Sequence, residues 1–144
     1  MFFGEFEYKI DEKARVPAPP KFRSELREGV VLTPGLEKCI TAYPLSEWKK
    51  VADTLTTGVV SSAKLRRLNR AVFATAFNLE VDRQGRIALP APLRQYALIE
   101  DDVVIIGANN YLELWNKELW EAEKDIGQEQ AGQIIESIEG HREV

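Results

Sequence analysis

The chain has 144 residues, 44% of them hydrophobic, with a formal net charge of −4, which suits one compact globular domain or two very small ones. No stretch approaches the roughly 18 consecutive apolar residues of a membrane span, and no basic region followed by an apolar stretch and cleavage site opens the chain, so neither a membrane anchor nor a secretory signal is expected. A lone Cys39 excludes an internal disulfide and suits a reducing cytoplasm.

Taken in order, Phe6, Tyr8 and Ile10 alternate with Glu5, Glu7 and Lys9, the pattern of a half-buried strand. Phe2 and Phe3 precede it as candidates for a subunit contact. Asp11 opens a turn, because its short carboxylate accepts from backbone N–H groups two residues on. Pro17, Pro19 and Pro20 forbid a long central strand and favour a short helix from Pro20 to about Leu26.

Val30 to Leu32 and Cys39 to Tyr43 read as short strands around a turn at Thr33-Pro34-Gly35. Ser46 is placed to cap a helix with an apolar stripe of Leu45, Trp48, Val51, Ala52 and Leu55. Thr56-Thr57-Gly58 ends it. Ser61 or Ser62 starts the next helix, to about Ala76. Leu65, Leu68, Val72 and Ala76 share one face, and Lys64, Arg66, Arg67 and Arg70 occupy the opposite arc. That basic arc is a solvated face, or it binds DNA phosphates or an acidic partner surface.

Phe77, Leu79 and Val81 alternate with Asn78 and Glu80 as a second half-buried strand, followed by a turn from Asp82. Val103 to Ile106 is continuously apolar, as in a strand buried on both faces. Gly107 to Asn110 reads as a hairpin loop returning through Tyr111 to Trp115. Asn116 caps a helix through about Lys124. Beyond Asp125, Gly127, Gly132 and Gly140 weaken an otherwise helical pattern of Ile134, Ile135 and Ile138.

These elements occur twice. Asp11, Arg15, Val16, Pro19, Phe22 and Arg23 recur as Asp82, Arg86, Ile87, Pro90, Leu93 and Arg94, every pair offset by 71. Tyr43 and Trp48 recur as Trp115 and Trp120 at offset 72. Each Trp is read as core packing at matching places. A repeat this short cannot close its own core, whereas two copies pairing as a pseudo-dimer can. The expected division is residues 5–48 and 77–120 for the two copies, 49–76 for a helical connector, and 121–144 for an acidic helical tail.

The opening Met1-Phe2-Phe3-Gly4-Glu5-Phe6, the paired Asp-x-x-x-Arg turns and Tyr43-Pro44-Leu45-Ser46-Glu47-Trp48 resemble the MraZ family, of the AbrB/SpoVT group. The resemblance spans nearly the whole chain. It implies a mainly β, α+β fold, a pseudo-two-fold swapped-hairpin β-barrel. It also implies a bacterial transcriptional regulator, a repressor acting on the promoter of the division and cell-wall gene cluster, in the cytoplasm at the nucleoid. Its partners would be double-stranded DNA with repeated half-sites and further copies in an octamer-like ring. The family's turn carries Gly before the Arg. Gly85 fits and Ala14 departs, and a left-handed residue costs Ala roughly 1 kcal/mol more than Gly. The first turn is therefore expected to be less regular than the second.

The arginines of the turns have two readings. Arg15 and Arg86 brace the turns against Asp11 and Asp82, or they project into a DNA groove. Residue pattern alone leaves these near even, and the family resemblance favours DNA, with Lys13 and Arg83 on phosphates and Asp11, Asp82 and Gly85 shaping the turns. Charge distribution agrees. Residues 61–94 carry seven basic and two acidic groups, while residues 95–144 carry three basic and twelve acidic. A basic patch beside an acidic tail is compatible with DNA binding at an acidic pI.

Catalysis is not expected. There is no Cys/His metal set, the sole His141 lies near the end of the chain, and no Gly-x-Gly-x-x-Gly or Walker loop occurs. Asp11 and Asp82 could form a symmetric carboxylate dyad, but each is followed by Arg four residues on. No cofactor is expected. The rival to DNA binding is an antitoxin-like or oligomeric interaction module that engages a protein partner through the acidic C-terminal segment.

Overall fold

In the computed structural model, residues 1–57 and 61–143 are described; the Gly58 helix stop lies outside them. The first copy supplies β1 (Glu5–Lys9), β2 (Arg15–Pro17), a 3-10 turn at Pro20–Phe22, β3 (Val30–Pro34) and β4 (Ile40–Pro44). Two helices follow, α1 (Leu45–Thr56) and α2 (Ser62–Phe73). The second copy supplies β5 (Phe77–Leu79), β6 (Arg86–Ala88), α3 (Ala91–Ala97), β7 (Asp102–Gly107) and β8 (Leu112–Trp115), and α4 (Lys117–Glu143) ends the chain.

The fold is α+β, and its pairings exchange between copies. The antiparallel six-stranded sheet has the order β1-β7-β8-β4-β3-β5. Thus β1 pairs with β7, not with a strand of its own copy, and β5 pairs with β3. The two copies meet at the centre, where Ile40, Thr41 and Ala42 of β4 face Leu114, Glu113 and Leu112 of β8. Reading the order backwards and exchanging copies returns the same order, which is the pseudo-two-fold.

The expected barrel is corrected in one respect. The sheet does not close: β1 and β5 are its edges, and β2 and β6 form a separate two-stranded ribbon. Proline explains this. Pro17 offers no N–H to a further ladder, and Pro19 and Pro90 stop each ribbon strand after three residues.

Alternation divides the core. Val30, Leu32, Ile40, Val103, Ile105, Leu112 and Leu114 face the main cluster, where they meet Val16 and Ile87 from the ribbon and Phe22, Leu26, Leu89 and Leu93 from the segments after it. On the other face, α1 lies against β3 and β4, and α4 against β7. The two tryptophans sit there in matching poses. Trp48 stacks at 5.7 Å and 46° on Tyr43, and Trp120 at 5.7 Å and 54° on Trp115.

Several local expectations change. Phe2 is 2% exposed, joined to Asn109 by two backbone hydrogen bonds of 2.9 Å and edge-on to Phe22 at 5.0 Å. It belongs to its own core and not to a subunit contact; Phe3 stays exposed. The segment after Pro20 makes a 3-10 turn and then hydrogen-bonded turns, with Leu26 buried. α1 starts at Leu45 behind Pro44, so Ser46 lies inside it and caps nothing. Strand β3 runs through Thr33 and Pro34, and the turn falls after them. Ser61 does cap α2, its hydroxyl accepting from Lys64 N at 3.3 Å. Asn116 caps α4, accepting from Leu119 N at 3.0 Å. α4 then runs through all three of its glycines to Glu143. Among the described residues no helix is long and apolar enough to cross a membrane.

Candidate nucleic-acid interface

The ribbon carries the turns. Its register is Arg15 opposite Ala88, Val16 opposite Ile87 and Pro17 opposite Arg86. Side chains opposite each other share a face and neighbours along a strand do not. Val16 and Ile87 therefore point inward and are fully buried, while Arg15 and Arg86 share the outer face. The diagonal between them is about 7–8 Å from backbone to backbone.

Each turn is built the same way. Asp11 Oδ1 accepts from Lys13 N at 2.9 Å and Arg15 N at 2.8 Å. Asp82 Oδ1 accepts from Gln84 N at 2.9 Å and Arg86 N at 2.8 Å. The second carboxylate oxygen takes the guanidinium: Arg15 Nε at 2.9 Å and Arg86 Nε at 3.1 Å. Backbone N–H groups of Arg86, then Gln84, and the Arg86 side chain hold the Asp82 carboxyl below its ordinary value. At Asp11, desolvation pulls upward but is outweighed by the N–H groups of Arg15 and Lys13 and by the Arg15 side chain, and the net shift is again downward.

The first turn is as regular as the second. Ala14 takes φ 57° and Gly85 φ 78°, both left-handed. Ala14 N donates to Asp11 O at 3.0 Å and Gly85 N to Asp82 O at 2.9 Å. The ribbon holds Ala14 there through its carbonyl, which accepts from Leu89 N at 2.9 Å; the matching bond is Ala18 N to Gly85 O at 2.8 Å. The expected irregularity from Ala14 is thus absent, because cross-copy hydrogen bonds offset its conformational cost.

Both arginines do brace their turns, and the bracing leaves donors over. A guanidinium has five N–H donors, and the Asp consumes the one on Nε. At Arg15 the N–H groups on Nη1 and Nη2 are left, and at Arg86 chiefly those on Nη2, since Arg86 Nη1 also lies 3.5 Å from Asp11 Oδ2; the fork of donors left over suits guanine O6 and N7 or a phosphate. Asp11 and Asp82 thereby fix the direction in which that fork is presented. Lys13 and Arg83 are exposed at the turn tips, beside Asp11 and Asp82.

Two further cations were signalled by the repeat but not assigned a place at the site from sequence. Arg23 Nε donates to Ala18 O at 3.3 Å and Arg94 Nε to Leu89 O at 3.0 Å, the same contact in both copies. The Arg23 guanidinium lies over Gly85, in the space a Cβ would enter. Beside it, Arg23, Arg27 and Arg83 line a depression of about 430 Å³ against the second turn. The basic helix α2 is exposed along Lys64, Arg66, Arg67 and Arg70. Among the described residues, no group of three or more His, Cys, Asp or Glu side chains could hold a metal ion.

Comparison with known proteins agrees with the two-copy organisation of the chain. A family model described as "MraZ protein, putative antitoxin-like" matches residues 1–70 and 72–131, one match for each copy. A protein of Dehalococcoides mccartyi named "Transcriptional regulator MraZ" is 58% identical over 142 residues, 98% of this chain and 100% of the relative. Proteins of the same name from Caldanaerobacter subterraneus and Herpetosiphon aurantiacus are 46% and 38% identical, covering 84% and 96% of this chain and 85% and 96% of their own lengths. With the paired turns, the exchanged strands and full-length similarity all in agreement, the chain belongs to the MraZ family.

Proposed function

We propose that this chain is a transcription regulator that binds DNA sequence-specifically and represses by occupying a promoter, that of the division and cell-wall gene cluster. The observation that carries the reading is the ribbon's outer face, where Arg15 and Arg86 share one surface with Lys13 and Arg83 at its tips. The major groove, about 12 Å wide, admits a two-stranded ribbon. Arg15 and Arg86 contact bases and Lys13 and Arg83 contact phosphates, which set the register. The mechanism is non-covalent and uses no cofactor.

One ribbon offers few contacts, so affinity comes from several copies of the chain on repeated half-sites. The protein acts as a homo-oligomer in the cytoplasm, at the nucleoid. The test is footprinting on the DNA upstream of its own gene, with affinity for repeat-containing and random DNA measured across salt. Protection at regularly spaced repeats and a preference for them that survives moderate salt are expected. Equal affinity for both DNAs at every salt concentration would defeat the reading.

A further inference from the structure

The two ends of the ribbon are alike in backbone and unlike in charge. At the second turn, Arg23, Ser24, Arg27 and Arg83 line a depression of about 430 Å³ that Asp82 also borders. The other copy has its own depression of about 310 Å³, lined by Arg94, Gln95, Leu98, Ile99 and Glu100. Arg94, Gln95 and Leu98 stand 71 residues after Arg23, Ser24 and Arg27, so the pseudo-two-fold makes the two depressions equivalent. The charges do not follow it. Leu98 stands where Arg27 does, and Glu12 holds the place on the first turn that Arg83 holds on the second, again at offset 71. One end gathers three arginines. The other has Arg94 with Glu100 in its depression and Lys13 beside Glu12 at its turn.

Nearby acids are engaged elsewhere. Among the described residues Arg23, Arg27 and Arg83 make no salt bridge, and all three are exposed. Both Asp82 oxygens are taken up inside the turn, Oδ1 by Gln84 N and Arg86 N, and Oδ2 by Arg86 Nε. Glu25 accepts from the N-terminal ammonium of Met1 at 3.0 Å. Arg23 is held at Nε, which donates to Ala18 O at 3.3 Å, so its Nη1 and Nη2 donors are left over. Three like charges around one depression repel each other, and an anion among them relieves that repulsion.

We propose that Arg23, Arg27 and Arg83 together hold backbone phosphates of one DNA strand at the second-turn end of the ribbon, an anchor that the first-turn end lacks. DNA is the anion because Arg83 is both a wall of the depression and a tip of the turn that presents Arg86. The guanidinium fork suits phosphate oxygens, and Glu12 and Glu100 repel a phosphate at the other end. Phosphate contacts fix orientation on the duplex and carry no sequence information. The anchor therefore decides which way round the ribbon lies on a half-site, a choice that its pseudo-two-fold leaves open. The inference rests on the DNA-binding reading above and adds Arg23 and Arg27 to its contacts.

Fluorescence anisotropy of the full chain tests it on two duplexes, one carrying the DNA upstream of its own gene and one of random sequence, across salt. Melting curves are taken on the same samples. Arg27→Leu with Arg83→Ala should lower both affinities by the same factor, about tenfold or more, and flatten the salt slope by about two ions per chain. Arg27→Lys with Arg83→Lys should keep the wild-type slope and melt, because a phosphate contact requires the charge. Phosphate ethylation of the upstream duplex should interfere more strongly on one side of each half-site, and that difference should fade in the neutral variant. Equal affinity of the wild type for both duplexes at every salt concentration overturns the sequence-specific reading and the anchor with it. Where the preference stands, a neutral variant with the wild-type slope overturns the anchor alone. So does a lower affinity ratio at constant slope, which puts these arginines on bases. A lysine pair as weak as the neutral pair, or ethylation interference equal on the two sides, overturns it too.

Discussion

Arg86 Nη1 lies 3.5 Å from Asp11 Oδ2, so the second turn reaches across the ribbon to the carboxylate that shapes the first. Asp11 thus holds two guanidiniums, Arg15 at 2.9 Å and Arg86 at 3.5 Å. Among the described residues the reverse contact, Arg15 to Asp82, is not made. The two copies are alike in backbone and unlike in ion pairing, and Arg86 ties them together.

Replacing Arg86 by Ala separates bracing from DNA contact. The ion pairs it loses are partly exposed and screened by solvent, and such pairs contribute little to stability, so the melting temperature should change by only a few degrees. If Arg86 contacts bases, the ratio of operator to random-DNA affinity should fall. With phosphate contact alone, both affinities fall together and the salt slope shrinks by about one ion. Melting temperature and operator affinity are read on the same sample. A destabilised protein that binds its operator normally removes the DNA role of this turn.

Two glycines should respond differently to alanine. At Gly85 the obstacle is the far end of the Arg23 side chain, which one hydrogen bond to Ala18 O holds, and Ala14 already holds the same conformation at φ 57°. The cost should be about 1–2 kcal/mol. At Gly107 a methyl would strike the backbone of Phe2 and Phe3, which has to move. Loss of the Phe2 seat should cost about 3 kcal/mol or more. Chemical denaturation of the two variants measures the difference.

Acid should loosen the turns. Asp82, and Asp11 with it, has a folded pKa below its ordinary value. A depressed carboxyl stabilises the fold above the unfolded pKa of about 3.9, and that contribution is lost as pH falls through the folded value. NMR titration should show both Asp midpoints below the ordinary carboxylate range. Replacement of Asp82 by Asn should flatten the acid end of the stability profile. Ordinary midpoints for both would contradict the hydrogen bonding described.

Cys39 should be inert. It is fully buried, and burial first, then the neighbouring Glu113 carboxylate, pushes its thiol up to about 12. The thiolate is the reactive form. Alkylation at pH 8 should therefore be negligible in the folded protein and rapid in denaturant, as mass spectrometry would record. Quick labelling of the native state would disprove the burial.

A fragment of residues 1–58 should not fold. Among the described residues β1 pairs with β7 and β2 with β6, and the fragment lacks both partners. The product should be unfolded or aggregated by circular dichroism and light scattering. A monomeric fragment with a cooperative melt would mean that the first copy is a domain in its own right.

The sequence by itself determined the repeat, the paired Asp-x-x-x-Arg turns, the alternating strands, a serine start to α2 at Ser61 or Ser62, and the Asn116 cap. Those signals are local: a short carboxylate followed by Arg four residues on, a period of two, a hydroxyl before a helix. Matching offsets of 71 placed Arg15 and Arg86 on equivalent turns, but the pattern left bracing and DNA contact near even, and only the family resemblance favoured DNA. What only the tertiary structure decided was every choice among partners. Local pattern could not tell that β1 pairs with β7 and β5 with β3, since any apolar edge of matching alternation would satisfy the ladder. It could not tell that Phe2 is seated against Phe22 and Asn109, or that Leu89 and Ala18 supply the hydrogen bonds that make the two turns alike. The sheet stays open because prolines cut the ribbon to three residues per strand. The glycines of α4 marked its weakness, yet the helix continues through all of them. Glycine raises the cost of a helix by about 1 kcal/mol at each position relative to Ala, which weakens the element without ending it.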